Sequence, residues 1–250
     1  MKGTVNMTKL YREAAIRPLG DSALIVQLGE GMSPAIHNKI RSLSILIQAH
    51  AFEGFVECVP AYQNLTVYYD PYIVHISNQE DRRLTPFQKV SAYLNDLLLQ
   101  LDKKTSFEER TVTIPVLYGG ECGPDLEYVA NYHDLSVEEV IQIHSEGDYL
   151  VYMIGFAPGF PFIGGMDGQI ATPRKETPRL AIDPGSVGIA GKQTGVYPLE
   201  TPGGWQIIGR TPIHLFLPEQ SPPTLLQSGD KIQFEPISPE EYAHYREAEK

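Results

Sequence analysis

Glycine and proline are concentrated in one stretch of the chain, between Gly155 and Pro212. These 58 residues hold 12 glycines and 8 prolines, against 22 of the two types together in the other 192 residues. Glycine permits positive φ and close backbone approach, whereas proline fixes φ and lacks an N–H donor. Because the stretch contains no repeat, this density predicts a series of tight, ordered turns, and binding residues tend to lie on such loops.

The same stretch also differs from the rest of the chain in charge. Its five Lys and Arg residues outnumber its four acidic residues, which gives +1, whereas the remaining residues carry −12. A cationic, glycine-lined surface on an anionic protein predicts a site for a small anionic ligand. The alternative is a loop-rich β domain whose turns simply require glycine and proline.

The composition limits the classes of protein that the chain can be. At 250 residues it is long enough for one large or two ordinary domains. A net charge of −11 argues against nucleic-acid and anionic-membrane binding, since both need a basic face. The sequence shows no secretory signal, and its two cysteines, Cys58 and Cys122, are interpreted as reduced thiols. We therefore expect a cytoplasmic protein that does not enter the membrane.

The N-terminal part of the chain alternates between strand and helix patterns. Strands are predicted at 23–28, 54–59, 65–69 and 112–116, and helices begin at Ser33-Pro34 and Thr85-Pro86. The resulting order, β-α-β-β-α-β, is the ferredoxin-like arrangement. We assign this domain to residues 1–105, followed by a polar linker near 102–110.

The C-terminal part follows a different pattern. The capping box Ser136-Val-Glu-Glu139 opens a short helix that ends near His144, and a strand is predicted at 149–154. Short β segments then run through the Gly/Pro-rich stretch. The prediction for residues 106–240 is a mainly β domain that forms a closed or nearly closed barrel. Residues 241–250 are predicted to form a peripheral tail, so the fold class is α+β.

Several common catalytic motifs are missing from the sequence. Residues 185–193 resemble a Walker A loop, but five residues instead of four precede the Gly-Lys pair, and Gln193 replaces the Ser/Thr that would hold Mg²⁺. There is no spacing typical of a metal site, no nucleophile elbow of a serine hydrolase and no biotin-carrying lysine motif. We therefore expect no metal and no biotin on this chain.

Two arginines are the first candidates for ligand binding. Arg174 and Arg179 each follow a proline, and a guanidinium is a planar fork suited to carboxylate or phosphate oxygens. The alternative is that both are surface residues paired with Glu176 and Asp183.

The turn after Ala190 and one histidine supply further candidates. Gln193 and Thr194 place amide and hydroxyl groups between glycines. His144 is the one histidine that the predicted elements bring near the Gly/Pro-rich stretch, where it could act as a general base. The alternative is a histidine that caps the end of its helix.

Aromatic residues within the stretch have two interpretations. Phe156, Phe160 and Phe162 are predicted either to form an exposed partner-binding patch or to pack in the core. Trp205, the only tryptophan, is predicted either to wall an apolar pocket or to plug the barrel.

Long motifs along the chain resemble one known family. They are LGDSALIVQLGE, IPVLYGGECGPDLEYVA, GFAPGFPFIGG, the two Pro-Arg pairs, GSVGIAGKQTGVYP and TPGGWQIIGRTP. Together they are similar to the family of 5-oxoprolinase B subunits and Kip inhibitors, once called allophanate hydrolase subunit 1, and to half of the carboxyltransferase domain of urea carboxylases. The resemblance implies a ferredoxin-like domain followed by a cyclophilin-like β-barrel.

The resemblance also implies an activity, with its partners and site residues. A 5-oxoprolinase B subunit works with the A and C subunits in the ATP-dependent opening of 5-oxo-L-proline to L-glutamate, with ATP and magnesium required by the complex and no activity expected of the chain alone. Position within the motifs implies six substrate-binding residues: Arg174, Arg179, Gln193, Thr194, Tyr197 and Arg210. The alternative function is a protein inhibitor that binds the helical domain of a sporulation histidine kinase and blocks autophosphorylation, and one chain can have both roles.

Overall fold

The computed structural model describes residues 14–77, 83–101 and 109–248. The chain divides into two compact units, residues 1–108 and 109–250. The domain boundary predicted at 105/106 and most of the predicted linker lie outside the described residues. Within the described part of the chain, no helix is long and apolar enough to cross a membrane.

The first unit is a four-stranded antiparallel sheet with helices packed on it. Its elements are β1 (Ala15–Pro18), β2 (Ala23–Gln27), α1 (Pro34–Ala49), β3 (Phe55–Pro60), β4 (Asn64–Tyr69), α2 (Pro71–Ser77) and α3 (Pro86–Leu98). The strands are ordered β1-β2-β4-β3. Their buried side chains pack against the apolar faces of α1 and α3, which contribute Ile40, Leu43, Ile47, Val90 and Leu94.

Local signals place both long helices where the sequence predicts them. Pro34 is the first residue of α1, after Ser33 in extended conformation. At α3, the Thr85 side chain accepts a hydrogen bond from the Gln88 N–H, and the Gln88 side chain accepts from the Thr85 N–H. This reciprocal capping box satisfies two helix-end donors. The helix start predicted at Thr85-Pro86 is confirmed.

The predicted ferredoxin-like order is wrong in one strand. Residues 112–116 form part of β5 (Thr111–Tyr118), which lies in the second unit and pairs with strands of its barrel. Ile114 and Val116 are fully buried in the barrel core, so their hydrophobic burial places the strand there. The position beside β2 is taken instead by β1, a strand of four residues that the sequence pattern did not show.

The second unit is a closed seven-stranded barrel, as predicted, with strand order β10-β7-β6-β13-β5-β12-β9. Its elements after β5 are α4 (Leu126–Tyr132), α5 (Val137–Ser145), β6 (Tyr149–Ile154), β7 (Pro161–Gly164), β8 (Arg179–Ile182), β9 (Ser186–Ala190), β10 (Gln193–Val196), β11 (Thr201–Gly203), β12 (Gln206–Arg210), β13 (Lys231–Pro236) and α6 (Pro239–Ala248). β8 and β11 form a separate two-stranded sheet.

Strands on one side of the barrel have side chains packed in an apolar cluster on both faces, inside the barrel and outside it. All seven strands contribute to the interior, with residues such as Ile163 of β7, Ile189 of β9, Val196 of β10 and Ile208 of β12. The neighbouring residues on these four adjacent strands point outward because successive side chains alternate across a strand. Phe162, Ala190 and Ile207 accordingly belong to a second, smaller apolar cluster.

The helices of the second unit also agree with the sequence signals. The predicted capping box of Ser136 and Glu139 opens α5, which ends at Ser145. α6 begins after Ser238, and none of its ten residues, all described, is buried. The peripheral tail predicted for residues 241–250 stays a prediction, since its last two residues lie outside the described part of the chain.

Candidate functional site

A groove opens on the outer face of the barrel beside the smaller apolar cluster. It has a volume of about 300 Å³. We call it the aromatic groove, and it is lined by Phe156, Phe160, Phe162, Arg174, Tyr197, Pro202, Gly203, Gly204 and Trp205. All nine lie in the Gly/Pro-rich stretch, so the stretch forms a concave surface.

Three aromatic rings form the floor of the aromatic groove. Phe160, Tyr197 and Trp205 have 3%, 2% and 8% of their surface exposed. They meet edge to face, with centroid separations of 5.6 Å for Phe160–Tyr197, 5.9 Å for Phe160–Trp205 and 6.2 Å for Tyr197–Trp205. Such contacts fix ring orientation, so the floor is preformed. Trp205 walls the groove and packs in the smaller apolar cluster outside the barrel interior, so it does not plug the barrel.

Two glycines make room for this floor. A Cβ at Gly203 would overlap the Tyr197 hydroxyl oxygen, and a Cβ at Gly195 would press against the rings of Trp205 and Phe160. The backbone must approach the rings this closely for the groove to exist, which explains the glycine requirement at both positions.

Arg174 supplies the charge of the aromatic groove. Its side chain is exposed, and its guanidinium carbon lies 6.0 Å from the centre of the Trp205 ring. A guanidinium over an indole face makes a cation–π contact. None of the nine described lining residues is acidic, so an anion entering the groove meets a cation and no like charge.

Tyr197 offers a hydroxyl donor in the same surroundings. Burial raises the pKa of Tyr197 to about 12, against the opposing effect of the nearby Arg174 and Arg179. The phenol therefore stays protonated at neutral pH and can donate a hydrogen bond to a ligand oxygen.

Phe156 projects from the lip of the groove. Its side chain is 73% exposed, its φ is 71°, and its ring centroid lies 5.4 Å from that of Phe160. The Ala157 N–H donates to the Gly155 carbonyl oxygen (2.9 Å), which closes a γ-turn around Phe156. Positive φ is costly for a bulky residue, and such strain is concentrated at functional sites.

A buried carboxylate fastens the segment that carries Arg174. Asp125 is 4% exposed, and its two oxygens accept from both Nη atoms of Arg179, each at 2.8 Å. Lys175 Nζ donates to the same carboxylate (2.9 Å), as does the Ile207 N–H (2.7 Å). We call Asp125, Lys175 and Arg179 the Asp125 ion cluster. The role of Asp125 is not apparent from the sequence, where it lies in a turn motif, Gly-Pro-Asp, with no sign of a cationic partner.

The structure separates the predicted substrate-binding residues into two groups. Arg174 and Tyr197 line the aromatic groove. Arg179 is held by Asp125, and Arg210 makes an ion pair with Asp183. Gln193 is half-buried at the start of β10 and is not among the lining residues.

Thr194 and His144 lie inside the barrel and do not reach the groove. Both are fully buried. The Thr194 hydroxyl donates to the Gly188 carbonyl oxygen (3.2 Å) and lies 2.8 Å from His144 Nε2, and His144 Nδ1 lies 2.7 Å from the Tyr118 hydroxyl. This network fits a neutral imidazole that donates from Nε2 and accepts at Nδ1.

The electrostatics of His144 agree with that network. Burial lowers the pKa of His144 to about 3. A histidine that is neutral, enclosed and bonded at both nitrogens cannot take a proton from a ligand in the groove. The geometry therefore argues against the general-base role predicted for it.

The predicted partner-binding patch is only partly exposed. Phe160 is buried and Phe162 partly buried in the smaller apolar cluster, so core packing accounts for both. Phe156 alone of the three is exposed.

The Walker-like residues form a β-hairpin. β9 and β10 pair with Ala190 opposite Gln193, and Gly191-Lys192 makes the turn. A phosphate loop instead leads from a strand into a helix N-terminus, so this geometry does not fit ATP phosphates. Among the described residues, no group of three or more His, Cys, Asp or Glu is placed to hold a metal ion.

These features define a class of domain: a closed β-barrel with an aromatic groove and an exposed arginine on its outer face. The sequence pattern of the family described as "Carboxyltransferase domain, subdomain C and D" matches residues 14–226. The chain belongs to this family, which confirms the resemblance carried by its motifs.

Individual relatives refine this assignment. The B subunit of 5-oxoprolinase from Bacillus subtilis (strain 168) is 49% identical over 96% of this chain and 99% of its own length. The protein of the same name from Haemophilus influenzae is 41% identical over 88% of this chain and 96% of its own length. The crystal structure of TTHA0988 matches 90% of this chain with a TM-score of 0.71 and 31% identity, and this match covers 40% of that longer chain. The two curated relatives are named as subunits of an enzyme.

Proposed function

We propose that this chain is the B subunit of a multi-subunit, ATP-dependent 5-oxoprolinase, and that its aromatic groove binds 5-oxo-L-proline. The reaction opens the lactam to L-glutamate and needs the A and C subunits. The near full-length similarity to two 5-oxoprolinase B subunits supports the activity. One observation supports the site: Arg174 stands over Trp205 at a groove that has no acidic residue among its described lining side chains.

The groove matches the chemistry of the substrate. A 5-oxoproline molecule is a small ring with a carboxylate on one side and a lactam carbonyl on the other. We assign the carboxylate to Arg174, whose planar fork suits two oxygens, and the flat ring to the floor formed by Phe160, Tyr197 and Trp205. The Tyr197 hydroxyl then donates to a ligand oxygen, and the aromatic walls exclude water from the bound ring.

The groove binds and orients but lacks a group for proton transfer. Its nine described lining residues include no Asp, Glu, His, Lys or Cys, and Tyr197 stays protonated at neutral pH. ATP with magnesium supplies the phosphoryl group that activates the lactam oxygen, and the described residues of this chain show no phosphate loop for it. We therefore assign ATP binding and water attack to the partner subunits, and we expect this chain alone to be inactive.

The length of one relative supports the need for a further polypeptide. The unit that matches this chain is 40% of the TTHA0988 chain, so there the same fold is continuous with more protein. A separate C subunit beside this chain is the corresponding arrangement in a heteromeric complex.

Reconstitution tests the proposed function. The chain mixed with the A and C subunits should release glutamate from 5-oxoproline only when ATP is present. Arg174→Ala should weaken this turnover, whereas Lys192→Ala, at an exposed hairpin turn, should not. If the A and C subunits release glutamate equally well without this chain, the proposal is wrong.

The geometry supports ligand binding better than the alternative function, inhibition of a sporulation histidine kinase. A protein–protein contact depends on a few apolar anchors that become buried on binding. Of the aromatic residues predicted for that contact, Phe156 is the exposed one. Autophosphorylation of the kinase measured with wild-type chain and with Phe156→Ala decides this role, since inhibition lost with Phe156→Ala would favour it.

A further inference from the structure

Asp125 occupies a helix-capping position without capping the helix. It directly precedes α4, where an aspartate normally accepts a hydrogen bond from the N–H of the second or third helical residue. The Asp125 side chain makes no such bond. Both of its oxygens are taken by Arg179, Lys175 and the Ile207 N–H instead. The fold therefore uses this carboxylate for tertiary contacts at the expense of a cap worth about 1 kcal/mol.

The contacts of Asp125 converge on the residues around Arg174. Pro173, just before it, accepts from Gln206 Nε2 at its carbonyl oxygen (2.9 Å). Lys175, just after it, donates its N–H to the Gly204 carbonyl oxygen (2.7 Å) and its Nζ to Asp125. Arg174 thus lies between two residues tied to the segment that holds Trp205.

The same carboxylate separates the roles of three neighbouring cations. Lys175 and Arg179 are half-buried and bound to Asp125, whereas Arg174 is exposed at the aromatic groove. Without the carboxylate, Lys175 and Arg179 would be free to attract the anion away from the aromatic floor. Asp125 leaves Arg174 as the cation that meets the ligand in the groove.

We propose that Asp125 is a positioning residue: it fixes the 173–179 segment so that the Arg174 guanidinium stands over Trp205, ready for the ligand carboxylate. The role in catalysis rests on the proposed function, whereas the ordering of the segment does not. The mechanism is preorganisation, in which a bound group is held in place before the ligand arrives.

The first experiment needs no ligand. Amide hydrogen exchange at Lys175 reports the bond to Gly204, and Asp125→Asn should accelerate that exchange about tenfold or more. The matched control is Asp183→Asn, which also removes a carboxylate paired with an arginine and should leave Lys175 unchanged. Unchanged exchange at Lys175 in Asp125→Asn would overturn the proposal.

A second variant covers a failure of Asp125→Asn to fold. Arg179→Lys keeps the positive charge but loses the two-point fork with Asp125. It should accelerate exchange at Lys175 in the same direction and to a smaller extent. If Arg179→Lys leaves the exchange at the wild-type rate, the ion cluster does not order the segment.

The second experiment tests whether Asp125 acts through Arg174. In the reconstituted complex, Asp125→Asn should raise KM for 5-oxoproline about tenfold with a smaller change in kcat. In an Arg174→Ala background, the same substitution should raise KM no further. An equal increase in both backgrounds would mean that Asp125 acts independently of Arg174, and the proposal fails. A wild-type complex without 5-oxoprolinase activity would instead refute the proposed function, and the exchange result would then decide the role of Asp125.

Discussion

The guanidinium carbon of Arg174 lies 6.0 Å from the centre of the Trp205 ring, at the mouth of a groove with no acidic residue among its described lining side chains. The pairing combines a fixed cation with a flat apolar surface. A small planar carboxylate can use both at once, since its charge meets Arg174 while its ring lies on the aromatic floor.

Replacing Arg174 should therefore affect substrate binding more than stability. Arg174→Ala removes charge-assisted hydrogen bonds worth about 1.5–3 kcal/mol, so kcat/KM for 5-oxoproline should fall roughly tenfold to hundredfold. Arg174→Lys keeps the charge without the planar fork, so its kcat/KM should lie between those of the wild type and Arg174→Ala. Thermal unfolding of both variants should match the wild type because the side chain is exposed. A loss of turnover that follows a loss of thermal stability would show that Arg174 has a structural role instead.

Gly203→Ala should damage the floor of the groove. The added Cβ overlaps the Tyr197 hydroxyl oxygen, and overpacking of this kind costs about 1–3 kcal/mol. Urea denaturation should show that loss, together with weaker substrate binding. Gly168→Ala is the matched control, because a Cβ at Gly168 meets no atom within 4 Å. Equal stability of the two variants would contradict the tight fit of Gly203 on Tyr197.

Phe156 allows strain to be separated from ligand contact. Phe156→Gly relieves the positive φ of 71° and Phe156→Ala does not, so the glycine variant should be more stable by about 1 kcal/mol. Both variants lose the ring that flanks Phe160 at the lip, and both should bind the ligand more weakly than the wild type. Thermal unfolding and ligand titration of the two variants give the comparison. If Phe156→Ala is more stable than Phe156→Gly, the turn at Phe156 is not strained.

The barrel should lose stability on mild acidification. Burial lowers the pKa of His144 to about 3, whereas an unfolded histidine titrates near 6.5. Above the unfolded value the residue is neutral in both states. Below it only the unfolded chain takes up the proton, so stability falls by up to about 1.4 kcal/mol per pH unit until the pH approaches the folded pKa.

Fluorescence of Trp205, the only tryptophan, reports unfolding of this unit. His144→Gln should flatten the decline between about pH 6.5 and 4, and an unchanged slope would contradict the assignment to His144.

Protonation of Asp125 should cause a further loss of stability at lower pH. Burial alone would raise the pKa of its carboxyl, but the hydrogen bonds from Arg179, Lys175 and the Ile207 N–H lower it overall. A depressed folded pKa contributes stability that is present above the unfolded value of about 3.9 and is lost as the pH falls through the folded pKa. Asp125→Asn should remove this most acidic part of the profile while keeping the histidine-dependent part. A variant profile identical to that of the wild type in this range would disprove the contribution.

Local sequence signals were sufficient to predict much of the fold. The capping box at Ser136 and the prolines Pro34 and Pro86 indicated helix starts because each acts over one helical turn. Strand partners depend on contacts far apart in sequence, and this explains why β5 was assigned to the wrong sheet. The four-residue strand β1 was too short to show an alternating pattern.

The residues that line the groove were identified only in part. Arg174 stands out because it follows a proline in the glycine-rich stretch, and Tyr197 belongs to the motifs that resemble the family; both line the aromatic groove, and their role in substrate binding stays a prediction. The partner of Arg179 was not predictable from spacing, since Asp125 lies 54 residues away and a nearer acid, Asp183, pairs with Arg210 instead. His144 was placed correctly along the chain, but its sequence position gave no sign that its side chain points into the barrel.

The most direct test of the central claim is titration of the isolated chain with 5-oxo-L-proline while Trp205 emission is recorded. Trp205 is the only tryptophan in the 250 residues and lines the groove, so its emission reports occupancy. We expect a saturable change with 5-oxo-L-proline, a weaker response to 2-pyrrolidinone, which lacks the carboxylate, and at least about a tenfold weaker affinity in Arg174→Ala. The absence of a saturable change in the wild-type chain, or the same affinity in Arg174→Ala, would contradict the assignment of the groove as the substrate site.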